Sequence, residues 1–186
     1  MATFAVTGIT HHCEGGHILN PIASKLRTAQ IGKCGELLVQ YRLLLLGVES
    51  APLSTDSGID LVAYAAARPL PLTIQVKTNL KPKPGGGVGK AALDWWVSET
   101  SPAQYIALVD LSTEKVWSFS QHQLAAAAQQ NSSGRYHLYM YTDPSVRPRQ
   151  SNRLSPSHEF GNFLLSNCAG FVLGVYPVWS RQFWIW

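Results

Sequence analysis

Three side chains on one short stretch could do chemistry together. The segment "GIDLVAYAAARPLPLTIQVKT" (58–78) has an apolar body, yet it holds Asp60 and ends with Gln75 and Lys77 flanking Val76. In a strand, residues two apart share a face, so Gln75 and Lys77 point one way while Ile74 and Val76 point the other. The interruption "ARPLP" reads as a turn between two strands. Centred near Ala67 and Arg68, it places Asp60 opposite Gln75, with Cβ atoms about 5 Å apart. A one-residue slip would scatter the group. A carboxylate beside an amide oxygen is a hard-oxygen pair, suited to Mg²⁺, which takes one or two carboxylates plus waters and phosphate oxygens. An ammonium two residues on would stabilise phosphoryl charge or orient a water. Together these groups suit metal-assisted phosphodiester hydrolysis.

Such a cluster needs elements to carry it. Residues 24–46, "SKLRTAQIGKCGELLVQYRLLLL", read as a helix stopped by Gly47. Ile31, Cys34, Leu38, Tyr41 and Leu45 form the expected buried stripe, and Ala29, Lys33, Glu36 and Gln40 a more polar face. The four leucines at 43–46 suggest burial nearly all round at the helix end. Residues 48–53 suit a short strand, followed by the turn "STDSG" and strands at 59–65 and 72–78. The Pro/Gly-rich stretch 79–91 reads as an irregular loop. Residues 104–120 suit a hairpin turning at "STEK". "SQHQLAAAAQQ" suits a short helix capped by Ser120. Residues 136–143 suit a strand, 144–157 a basic Pro/Ser-rich loop, and "EFGNFLLSN" a closing helix. The order implies an α/β domain with a mixed central sheet flanked by helices.

These segments resemble the PD-(D/E)xK nuclease superfamily, which includes many restriction enzymes, Holliday-junction resolvases and some homing endonucleases. The resemblance is carried by "GKCGELLV" on the helix, by the hairpin 58–78, and by "LDWWVS" followed by "YIALVDLSTEKVWSFS". It covers roughly residues 24 to 130. It implies a restriction-endonuclease-like core: helix, three-strand meander, helix and further strand. It also implies roles. Glu36 matches the helix acid that helps organise the metal, Asp60 the metal-binding aspartate, and Gln75-Val76-Lys77 the (D/E)xK motif. The Val76 carbonyl would also meet the metal. The implied activity is Mg²⁺-dependent cleavage of DNA, with Mn²⁺ able to substitute. Two departures stand out: Ile59 precedes Asp60 where the family has proline, and Gln75 replaces an acid. The second removes a negative charge and suggests an alternative, an inactive nucleic-acid-binding or interaction module on the same fold.

The chain has 186 residues, 46% of them hydrophobic, enough for one domain with a full core. The divisions expected are an N-terminal arm (1–23), the nuclease-like domain (24–167) and an aromatic tail (168–186). A net charge of +4 permits a polyanionic partner. Lys81, Lys83, Lys90, Arg147 and Arg149 are candidates for backbone phosphate contacts. The 81–91 loop is no P-loop, because Pro84 stands where the first glycine belongs and Ala91 where Ser or Thr is required. "HHCEGGH" (11–17) lacks the second ligand pair that a structural zinc site needs. Three scattered cysteines argue against a disulfide framework. The longest apolar run, 168–179, is shorter than the ~20 residues of a spanning helix. The expectation is a cytoplasmic protein with no membrane partner, its Trp-rich tail used for packing or for a homodimer.

Overall fold

The structure, a computed structural model, describes residues 26–55, 57–65, 69–85, 89–147 and 154–167. The arm, the "HHCEGGH" segment, Arg149 and the aromatic tail lie outside the described residues. The chain opens with helix α1 (Thr28–Leu45), then strands β1 (Glu49–Pro52), β2 (Leu61–Tyr64), β3 (Leu72–Asn79), β4 (Lys83–Pro84), β5 (Ala91–Ser98), β6 (Tyr105–Asp110) and β7 (Lys115–Ser120). Helix α2 (Gln121–Ala127), β8 (Gln130–Ser132), β9 (Arg135–Tyr141) and two short 3-10 turns complete it. The fold is α/β with a mixed central sheet, ordered β1-β2-β3-β6-β7, and a second sheet ordered β4-β5-β9-β8. β3 and β6 run parallel; every other pairing is antiparallel.

Strand alternation sorts the side chains into two cores. Leu72, Ile74 and Val76 of β3 join Leu61 and Ala63 of β2, Ala107 and Val109 of β6, and Val39 and Leu43 of α1. On the other face, Ile106 and Leu108 of β6 meet Leu93, Trp95 and Val97 of β5, Leu138 and Met140 of β9, and Trp117 and Phe119 of β7. The central sheet thus lies between a helix and a second sheet. All six residues of β6 are buried, as a parallel strand covered on both faces requires.

The sequence places the meander and the 105–120 hairpin well. Asp110 holds the hairpin's turn: its carboxylate accepts hydrogen bonds from the Ser112 N–H, the Ser112 hydroxyl and the Thr113 hydroxyl. Ser120 caps α2 as expected, accepting from the Gln123 N–H. Four expectations are corrected. The buried stripe of α1 is Gly35, Val39 and Leu43, whereas Tyr41 and Leu45 are exposed. Burial near its end is one-sided, with Leu43 fully buried and Leu44 and Leu45 open. The 79–91 stretch is not wholly irregular, because Lys83 and Pro84 pair with Ala92 and Ala91 to give an edge strand. Proline is tolerated at such an edge. Finally, the crossover from β3 to β6, where the resemblance implies a helix, is carried by β4 and β5.

The face of α1 is set by close approach. A Cβ on Gly35 would run into the Thr78 side chain of β3, whereas one on Gly32 would meet open space. Gly35→Ala should therefore destabilise the fold by about 1–3 kcal/mol through overpacking. Gly32→Ala should stabilise it by about 0.5–1 kcal/mol through helix propensity. Urea unfolding of both variants reads the contrast, and equal shifts would refute this packing.

Candidate active site

The site is built on the β2–β3 hairpin. Leu61 pairs with Ile74 and Ala63 with Leu72, which is the register expected from the turn. The ladder ends at Leu61, and Asp60, one residue before it, turns onto the Ile74–Val76 stretch of β3. The Asp60 backbone is fixed on both sides: its N–H donates to the Ile74 carbonyl and its own carbonyl accepts from the Leu53 N–H, each at 2.9 Å. Its Oδ2 accepts a 2.6 Å hydrogen bond from the Val76 N–H. Upstream, Gly58 has φ +79°, a left-handed conformation that suits glycine. A Cβ there would press on the Pro102 ring at 3.0 Å and lie 3.8 Å from Gln75 Nε2.

Gln75 is 8% exposed, unusually buried for a glutamine. Its Oε1 accepts from the Ser101 hydroxyl at 3.2 Å. Ser101 is held in turn: its hydroxyl accepts from the Ala103 N–H, and its carbonyl and that of Ala103 accept from Gln121 Nε2. Lys77, half-buried, stands beside Leu108 in the parallel register and forms no ion pair with a described residue. Asp60, Gln75, Val76 and Lys77 are thus brought together on two adjacent strands.

Glu36 is carried on a different layer. It follows Gly35, and so lies level with the Thr78 end of β3, but α1 packs against the even-numbered face of that strand. Its carboxylate accepts from Lys33 Nζ at 2.8 Å. Asp110 is buried at the far end of β6, but the turn hydrogen bonds occupy both its oxygens.

Of the basic candidates, Lys81 is exposed between β3 and β4, and Lys83 is exposed on β4. Lys90 is exposed beside Asp143, whose carboxyl is held below the usual range by hydrogen bonds from Ser145, with Lys90 adding to the effect. Arg147 donates to the Pro144 carbonyl and is otherwise open.

Sequence reasoning missed Ser101 and Gly58. The "TSPAQ" segment carries turn chemistry, but nothing local shows that it folds back on Gln75. Among the described residues no three His, Cys, Asp or Glu side chains converge as a metal cluster. The candidate oxygen donors that the sequence predicts on this hairpin are those of Asp60 and Gln75. That set suits a hard divalent cation completed by water and phosphate, and does not suit zinc.

No family model matches the sequence, and neither does any curated protein. Among solved structures, the chain is similar to "The structure of a bacterial homing endonuclease: I-Ssp6803I", with a TM-score of 0.52 and 14% identity. The match covers 80% of this chain and 92% of the other. The mixed α/β fold therefore resembles that of a bacterial homing endonuclease. No described helix is long and apolar enough to cross a membrane.

The Asp60–Val76 bond separates two roles of the carboxylate. Asp60→Ala should cost about 1–3 kcal/mol by leaving the Val76 N–H unpaired. Asp60→Asn keeps an acceptor and should fold within about 1 kcal/mol of the parent while losing the charge. Denaturant unfolding of the pair checks this, and equal losses would show that the bond carries no stability.

Proposed function

We propose that this chain is a divalent-metal-dependent endonuclease that hydrolyses DNA phosphodiester bonds. The observation that supports the reading is the bond of Asp60 Oδ2 to the Val76 N–H, between Gln75 and Lys77 on β3, in a fold similar to that of a homing endonuclease. Asp60, Gln75 and the Val76 carbonyl would hold Mg²⁺ or Mn²⁺, with Glu36 assisting from α1. The ion, when bound, supplies Lewis acidity and an acidified water. The protein's own part is positioning and charge. The Asp60 backbone and the Val76 N–H fix the carboxylate before substrate arrives. Ser101 holds the Gln75 amide by donating to its Oε1. Lys77, in no ion pair with a described residue, is available to orient the attacking water and stabilise charge on the phosphoryl oxygens. Lys81, Lys83, Lys90, Arg147 and Arg149 would track the phosphate backbone and give salt-dependent, sequence-independent affinity. A homodimer would place two such sites on the two strands of a duplex.

A second reading keeps the fold and the DNA partner but not the chemistry. It is favoured by a specific feature: the strand pair carries one carboxylate, and the Gln75 oxygen already accepts from Ser101.

Purified protein should nick supercoiled or branched DNA with Mg²⁺ or Mn²⁺ and not in EDTA. Lys77→Ala should slow this by about 10²–10³-fold, the usual loss for one group stabilising the transition state. Cutting that survives in Lys77→Ala would refute the site. DNA bound equally well in EDTA, with no cutting under any metal, would establish the binding module. Gln75→Glu should then tighten metal binding and, if the chemistry has merely decayed, restore cleavage.

A further inference from the structure

The second sheet has an outer face that the proposed nuclease site does not use. Its inner residues, Leu93, Trp95 and Val97 of β5 with Leu138 and Met140 of β9, fill the second core. By alternation, Asp94, Trp96 and Ser98 of β5 and Arg135, His137, Tyr139 and Tyr141 of β9 point away from it. Such a face is ordinarily polar. Here four rings form a continuous line. Trp96 stacks flat on its cross-strand partner His137, with centroids 4.1 Å apart and planes 7° apart. His137 is 5.5 Å from Tyr139, and Tyr139 is 5.4 Å from Tyr141. Trp96 remains 41% exposed although His137 covers one side of it.

Cations stand at both ends of the line. Arg135, exposed, lies opposite Ser98 beyond the Trp96–His137 stack. Lys83, exposed on β4, lies opposite Ala92 and so shares the outer face beyond Tyr141. Lys81 and Lys90 flank the same ribbon. The acid on this face, Asp94, is set 3.6 Å from His137 Nε2. Burial holds the His137 pKa below its ordinary value against the pull of Asp94, so at neutral pH the ring is an uncharged stacking surface. The face is also tied to the candidate site, because Asn79, two residues beyond Lys77, donates through Nδ2 to the Asp94 carbonyl at 2.7 Å.

We propose that this face is a second nucleic-acid site, a platform on which two or three unpaired bases stack along Trp96, His137, Tyr139 and Tyr141 while Lys83 and Arg135 meet the flanking phosphates. Aromatic rings on an antiparallel sheet bind single strands by stacking, which every base supports and which needs no sequence readout. The bracketing cations select a polyanion over an apolar protein surface. The inference rests on DNA being the partner, as the nuclease reading has it, but not on cleavage.

The test is fluorescence anisotropy of a labelled single-stranded oligonucleotide and of its duplex, with the full chain in EDTA. Trp96→Ala should weaken single-strand binding about ten-fold and duplex binding less than two-fold; Trp96→Phe should recover most of the loss. Tyr139→Ala is a second variant on the same line and should also weaken single-strand binding selectively. Single-strand affinity unchanged in Trp96→Ala and Tyr139→Ala would overturn the proposal. So would a change confined to sedimentation, which would make the face a contact between copies. Lys77→Ala keeps the two readings apart, since it should slow cutting about 10²–10³-fold and leave single-strand binding intact. A protein that binds single strands through Trp96 but never cuts retains this site and loses the nuclease; one that cuts while Trp96→Ala binds normally does the reverse.

Discussion

The joint on which the rest depends is the hydrogen bond from the Val76 N–H to Asp60 Oδ2, 2.6 Å long. β3 lies between β2 on one edge and β6 on the other, but the regular β2 ladder ends at Leu61. Past that point the edge of β3 would present a half-buried N–H with no strand to meet it. The Asp60 side chain takes the place of the missing backbone acceptor. A bond to an ionised oxygen is stronger than one to a carbonyl, so it also locks the carboxylate's direction. The carboxylate that the proposed function would use thus also serves the strand.

The two faces of β3 then divide the work. The even-numbered face is pressed against α1, closely enough that Gly35 meets Thr78 without a side chain between them. The odd-numbered face carries Gln75 and Lys77 toward the second sheet, where Ser101 fixes the amide. Polar groups are affordable there because each sits where the apolar packing of Ile106 and Leu108 leaves off. A buried amide with a hydroxyl partner keeps its geometry far better than an exposed one.

How much of this was legible varies by element and for physical reasons. The hairpin register was readable because "ARPLP" limits the turn and the period of two does the rest, so Leu61 pairs with Ile74 as expected, whereas Asp60 lies just past the ladder and bonds Ile74 and Val76. The Ser120 cap and the 105–120 hairpin were equally local. The face of α1 was not readable: "ELLVQYRLLLL" is apolar in every direction, and the deciding residue is a glycine, which no hydrophobic count registers. The second sheet was only partly legible. Its edge strands are "KP" and "QNS", which pair through the backbone and carry no apolar signal. Ser101 was invisible because its contact with Gln75 depends on the crossover returning to β3. The strand frame that carries Gln75 and Lys77 was legible; the layer that carries Glu36 relative to it was not.

The crossover through strands has a consequence for how the molecule comes together. A β2–β3 hairpin closes a short loop and brings Asp60 to Gln75 from neighbouring chain. The partnership of β3 with β6, and with it the Ser101 clasp, joins residues as far apart as Thr73 and Gln104, 31 positions along the chain. Loop-closure entropy opposes that step, and non-local parallel pairing is intrinsically slow. Because β4 and β5 lie within the closing segment, the same event that completes the central sheet carries only Trp96 of the aromatic line; His137, Tyr139 and Tyr141 arrive from β9, after β7. The aromatic face is therefore completed by a second, later pairing than the one that sets the Ser101 clasp.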